Sequence, residues 1–197
     1  MNLKIENLNF NYAEKILFKN LNLHFDSDTF TWIRGPSGSG KSTFLKLVAG
    51  LLPNQSGNIL FSKDEATIGY VDQECHLVDH WSVEENLRLA EWADRNHPNA
   101  KTGDVDFWLK KFDLNISKKA LAKTLSGGER QRICLIRVLL QNPDVVLLDE
   151  PTAHLDDQHA TTALQLLSDG LRSKLLLIVS HDQRLSALNF KTLDWKP

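Results

Sequence analysis

The chain has 197 residues, 42% of them hydrophobic and 24% charged, which suits one ordinary globular domain with a substantial core. A net charge of −2 excludes a general attraction to nucleic acid or anionic membrane, so no nucleic-acid partner is expected. Two cysteines, Cys75 and Cys134, without a paired framework exclude a disulfide-held fold and suit a reducing compartment.

Apolar alternation at Leu3, Ile5 and Leu8, then at Leu21, Leu23 and Phe25, predicts two strands of an N-terminal sheet. The opening residues contain no signal-like apolar stretch. Residues 30–34 read as a further strand that runs into the glycine-rich stretch 35–40. Over 41–52 apolar residues (Phe44, Leu45, Leu47, Val48, Leu51, Leu52) cover nearly every face, which predicts a buried helix stopped by Gly50 and Pro53. Residues 59–61 and 68–71 read as strands.

From 82 to 123 the pattern turns helical. Ser82 with Glu85 three residues on has capping-box form, and Val105, Trp108, Leu109 and Phe112 line one helix face. Asn96-His97-Pro98-Asn99 reads as a loop between them. A helix over 126–141, a strand over 145–148, a helix near 157–171, a strand over 175–179 and a last strand near 190–195 follow. The two strongest apolar runs, 145–148 and 175–179, fall far short of the roughly 20 residues of a spanning helix. Any membrane role therefore requires another chain to span. Strands alternating with helices predict an α/β fold: a mainly parallel sheet with right-handed crossovers, an N-terminal antiparallel β subdomain, and the helical stretch 82–123 inserted into one domain of residues 1–197.

Gly35-Pro36-Ser37-Gly38-Ser39-Gly40-Lys41-Ser42 fits the phosphate-loop pattern at every fixed position, between a strand and a helix, as in a P-loop NTPase core. Glycines let successive N–H groups curl round phosphate oxygens, and the helix starting at Lys41, with Thr43 in its first turn, adds its positive end. Lys41 is expected to reach the β- and γ-phosphates and Ser42 to ligate Mg2+. The strand 145–148 ends in Asp149-Glu150. Neighbouring strand residues point oppositely, so Asp149 is expected to hold Mg2+ and Glu150 to orient or deprotonate the attacking water. Read alone, the two acids are also a plain acidic turn before Pro151.

Leu125-Ser126-Gly127-Gly128-Glu129 resembles the LSGGQ signature of ABC ATPases, and the order of motifs along the chain is similar to that superfamily throughout. Ser126 and Glu129 also form a capping box in their own right. The resemblance implies an ATP-hydrolysing subunit working as a head-to-tail pair, in which Ser126, Gly127 and Gly128 complete the nucleotide site of a second copy. It further implies that Gln73 senses Mg2+ and the attacking water, that His181 contacts the γ-phosphate, and that Ala153-His154-Leu155-Asp156 lines the dimer interface. Tyr12 takes the place of the aromatic that stacks on adenine, with Phe10 as the other candidate. Asp72 stands where the family commonly has proline, the stretch 60–69 is short, and little chain follows His181, so the accessory C-terminal domains of some importers are expected to be absent.

Cys75, His76, Asp79 and His80 suggest a metal cluster only by residue type, because their spacing matches no zinc framework. Leu77, Val78 and Trp81, just after Gln73, either pack within the helical region or line a groove for a helix of a membrane subunit. The expected function is to power a membrane transporter through ATP-driven dimer closure, from the cytoplasmic face of the membrane and through a separate integral membrane subunit. The alternatives are a non-transport ABC ATPase that remodels a soluble or cell-envelope assembly, and a nucleotide-responsive binding module, which the full set of catalytic positions disfavours.

Overall fold

The structure, a computed structural model, describes residues 1–12, 14–27, 30–93, 105–188 and 190–196. The loop expected at Asn96-His97-Pro98-Asn99 lies outside the described residues. The chain divides into two compact units, one of Met1–Tyr70, Asp144–Glu150 and Ser173–Pro197, the other of Val71–Pro143 and Pro151–Arg172.

In chain order the first unit carries β1 (Asn2–Tyr12), β2 (Lys15–Asp26), β3 (Thr31–Arg34), α1 (Lys41–Val48), β4 (Ser56–Phe61), all but the last residue of β5 (Ile68–Val71), β6 (Val145–Asp149), β7 (Leu175–Val179) and β8 (Lys191–Asp194). β1 pairs antiparallel with β2 on one side and β4 on the other. Its inward residues Leu3, Ile5, Leu8 and Phe10 slip by one place after Ile5, where the register shifts and Asn7 adopts a positive φ of 49°. The bulge lets both halves of the strand face the core.

The second sheet has the order β5-β6-β7-β3-β8. β3 runs parallel to β7 and β8, and β6 runs parallel to β7. Every residue of β6 and β7 is buried, as befits strands covered on both faces. Parallel pairing brings the C-terminal ends of β6, β7, β3 and β8 to one edge in that order.

α1 is shorter than the apolar run 41–52 suggests. Gly50, at φ 69°, follows the last turn, and the N–H groups of Gly50 and Leu51 bond back to Leu47 and Lys46. This is a Schellman stop. Leu51, expected inside, is 59% exposed because the chain has already left the helix.

The second unit carries α2 (Val83–Ala93), α3 (Val105–Lys111), α4 (Gly127–Gln141) and α5 (Asp157–Gly170). Ser82 and Glu85 close the capping box at α2: the Ser82 N–H and hydroxyl reach the carboxylate at 2.7 and 2.6 Å, and the Glu85 N–H donates to the hydroxyl at 3.2 Å. α2, α3 and α5 all pack on α4. Ile133, Cys134, Leu135, Ile136 and Val138 are consequently buried around most of its circumference, where the sequence suggests one apolar face through Ile133, Ile136 and Leu140. A helix packed from several sides needs no polar stripe.

Candidate nucleotide-binding and hydrolysis site

The shared edge of the parallel sheet collects Asp149 and Glu150 from β6, Ser180 and His181 from β7, and the loop from Gly35 after β3. Gly38 and Gly40 have φ of 73° and 93°, a left-handed backbone that glycine adopts freely. A Cβ on Gly40 would lie 2.9 Å from Phe18 Cε1, whereas one on Gly38 would meet nothing within 4 Å. Gly40 caps α1 without any side-chain hydrogen bond. The first-turn N–H groups thus lack a capping side chain and are available to an anion, so the cradle fits a polyphosphate.

Lys41 is only 6% exposed, and its ammonium donates to the Gly35 and Pro36 carbonyls at 2.8 Å each. Buried charge requires such partners. Phosphate oxygens are stronger, charge-assisted acceptors than these carbonyls. Ser39 closes the loop through its hydroxyl to the Pro36 carbonyl at 2.7 Å. Ser37 and Ser42 are exposed and Thr43 half-buried. The Ser42 hydroxyl and the buried Asp149 carboxylate are oxygen donors, a set that fits a hard cation such as Mg2+.

Glu150 leaves β6 with a φ of 48°, its N–H donating to the Val179 carbonyl at 2.8 Å. A non-glycine residue in this region is held there by its surroundings. The Ser180 hydroxyl and the His181 N–H donate to Glu150 Oε2 at 3.2 and 3.3 Å, and His181 Nε2 lies 3.8 Å from Oε1. The ring of His181 is exposed, while Ser180 is buried and its carbonyl accepts the Trp32 indole N–H at 2.9 Å. Tyr12 is half-exposed and stands edge-on to Phe10, 5.0 Å between ring centres; Phe10 itself is buried, which leaves Tyr12 as the accessible aromatic.

The second unit holds Gln73, which is exposed, and the signature residues Ser126, Gly127 and Gly128 at the start of α4. The Ser126 N–H and hydroxyl donate to Glu129 Oε2 at 2.8 Å each, and the Glu129 N–H donates to the Ser126 hydroxyl at 3.3 Å. These bonds hold the Glu129 carboxyl below its ordinary range. A Cβ on Gly128 would come within 3.0 Å of the His154 carbonyl, so the signature lies against the loop 153–156. His154 Nδ1 is 3.2 Å from Oε1 of the fully buried Gln131.

His76 pairs with Asp72 at 2.7 Å and Asp79 with Arg130 at 2.8 Å, and no metal-holding group of three such side chains occurs among the described residues. Two site neighbours have no signature in the sequence: Trp32, bonded to the residue before His181, and Trp195, bonded to the phosphate loop at the Ser39 carbonyl. A strand tryptophan reads as core, and only the sheet order reveals what its indole N–H meets.

The sequence pattern of the ABC transporter family matches residues 18–153. HrtA of Staphylococcus saprophyticus, an ATP-binding protein assigned to hemin import, is 33% identical over 189 residues, which cover 88% of this chain and 85% of HrtA. FbpC of Fusobacterium nucleatum, an Fe(3+) ions import ATP-binding protein, is 32% identical over 197 residues, covering 93% of this chain and 52% of FbpC. Among solved structures, a dimeric ATP-binding cassette in a post-hydrolysis state bound to ADP and Pi superposes with a TM-score of 0.80 at 26% identity, over 98% of this chain and 94% of the other. Phosphate loop, paired carboxylates, signature and strand-end histidine thus stand in a chain of matching sequence and fold, and the chain belongs to the ABC transporter family, as an ATP-binding and ATP-hydrolysing subunit that powers a membrane transporter.

Proposed function

We propose that ATP is bound by the phosphate loop and hydrolysed by Glu150 and His181, and that two copies of the chain act together. The loop N–H groups and Lys41 hold the β- and γ-phosphates, with Lys41 exchanging its two carbonyl partners for phosphate oxygens. Tyr12 offers its exposed ring to the adenine face. Ser42 and Asp149 would hold Mg2+, which when bound would neutralise charge on the phosphate oxygens. Glu150 orients the attacking water and accepts its proton, while His181 donates to the γ-phosphate. The observation that carries this reading is the fixed Glu150 carboxylate, gripped by Ser180 and His181 at the end of β6 on the same edge as the loop.

Ser126, Gly127 and Gly128 of each copy complete the site of the other, so ATP joins the pair and loss of the γ-phosphate releases it. The opening and closing act on a separate integral membrane subunit, which places the chain at the cytoplasmic face of the membrane. That subunit sets the transported substrate.

Glu150→Gln keeps the shape and the polar contacts but removes the base. With ATP and Mg2+ this variant should elute at twice the monomer mass and hydrolyse ATP about 100-fold to 1000-fold more slowly than the parent. A variant that binds ATP yet remains monomeric would overturn either the paired site or the role of Glu150.

A further inference from the structure

We propose that Trp195 is a positioning residue for the phosphate loop, acting through one hydrogen bond from its indole N–H to the Ser39 carbonyl at 2.9 Å. The proposal rests on the assignment of that loop to the phosphates of ATP. Trp195 follows β8, next to β3 in the sheet and on the opposite side of it from β7 and His181. It touches the loop at both ends. At the start, its backbone N–H donates to the Arg34 carbonyl at 2.7 Å, and its Cβ lies 3.0 Å from where a Cβ on Gly35 would stand. At the far end, the indole holds Ser39, immediately before Gly40. The ring is 4% exposed, with Phe44 of α1 at 4.9 Å and Phe18 of β2 at 5.8 Å between centres. Packing fixes the ring, so the direction of its N–H is fixed as well.

The consequence follows from peptide geometry. No peptide among the described residues is cis, and in a planar trans peptide the C=O and N–H point opposite ways. A Ser39 carbonyl committed to the buried indole turns the Gly40 N–H to the opposite side, away from Trp195. That N–H makes no hydrogen bond to another described residue and is free for a ligand. Gly38 and Gly40 flank Ser39 with positive φ, and glycine rotates at little steric cost. Local sequence therefore does not prevent this peptide from turning over. The restraint comes from a side chain 156 residues further along.

The test compares the full chain with Trp195→Phe, which keeps an aromatic ring in the pocket and removes the N–H. Titration with ATP and Mg2+ should give a Kd raised about fivefold, the worth of one hydrogen bond, with kcat at saturating ATP within about twofold of the parent. A purely structural tryptophan would lower the melting temperature and leave Kd unchanged, and that result would overturn the proposal. If the variant does not fold, the parent chain labelled with 15N-tryptophan decides. Its Trp195 indole N–H, assigned through contacts with the Phe18 and Phe44 rings, should be protected from exchange and shift when ATP is added. An indole signal unmoved by saturating ATP would rule the proposal out. A parent chain that fails to bind ATP would instead sink the loop assignment beneath it.

Discussion

Two helix N-termini in this molecule begin with glycine-rich motifs and treat their N–H groups in opposite ways. α1 starts at a left-handed Gly40 with no side-chain cap, whereas α4 starts at an extended Ser126 inside a complete capping box. The first leaves its donors for a ligand, and its loop is fixed from within by Lys41 on two loop carbonyls and from outside by Trp195. The second satisfies itself locally, and the Ser126 hydroxyl proton already rests on Glu129. A bare N-terminus stabilised by long-range contacts suits strong anion binding. A capped one is stable alone and presents a finished surface. The contrast agrees with the proposed roles, in which the α1 N-terminus binds phosphate and the capped start of α4 serves a second copy.

The largest effect that sharpens this comparison is on nucleotide affinity. Lys41→Ala removes a cation with two charge-assisted partners and should weaken ATP binding about 100-fold or more in an equilibrium titration. Retained affinity would mean that the bare N-terminus of α1 alone carries the phosphates.

A smaller effect concerns how the first unit holds itself together. Burial pushes the Asp144 carboxyl up, but the Lys63 ammonium at 2.7 Å and the Thr67 N–H and hydroxyl outweigh it and hold the group at about 2. A carboxyl whose folded pKa is depressed stabilises the fold above its unfolded value, and this contribution disappears as pH falls from about 4 to about 2. Asp144→Asn should therefore cost about 1–2 kcal/mol at neutral pH, discounted for partial exposure, and nothing below pH about 2. Urea melts at both values check the sign. ATP affinity should be unchanged, since the residue lies at the start of β6 and the site at its end.

The smallest effect tests the capped helix. Ser126→Ala removes the two bonds of the hydroxyl, leaves the backbone N–H of residue 126 on the Glu129 carboxylate, and should destabilise by about 1 kcal/mol, with the affinity of the isolated chain for ATP intact. If that affinity drops instead, the signature touches its own chain's nucleotide and the contrast between the two helices collapses.

Consecutive residues were enough to determine the phosphate loop, the capping boxes at Ser82 and Ser126, and the strand-helix alternation, because each depends on backbone geometry within a few residues. The Asp149-Glu150 pair was legible for the same reason: it ends an apolar run. Tertiary structure alone decided the rest. It buried Phe10 while leaving Tyr12 accessible, and wrapped α4 on several sides. It also set Ser180 against Glu150 and Trp195 against Ser39, at separations of 30 and 156 residues. Such contacts follow from which strands lie side by side, and a parallel sheet joins residues that no local pattern links.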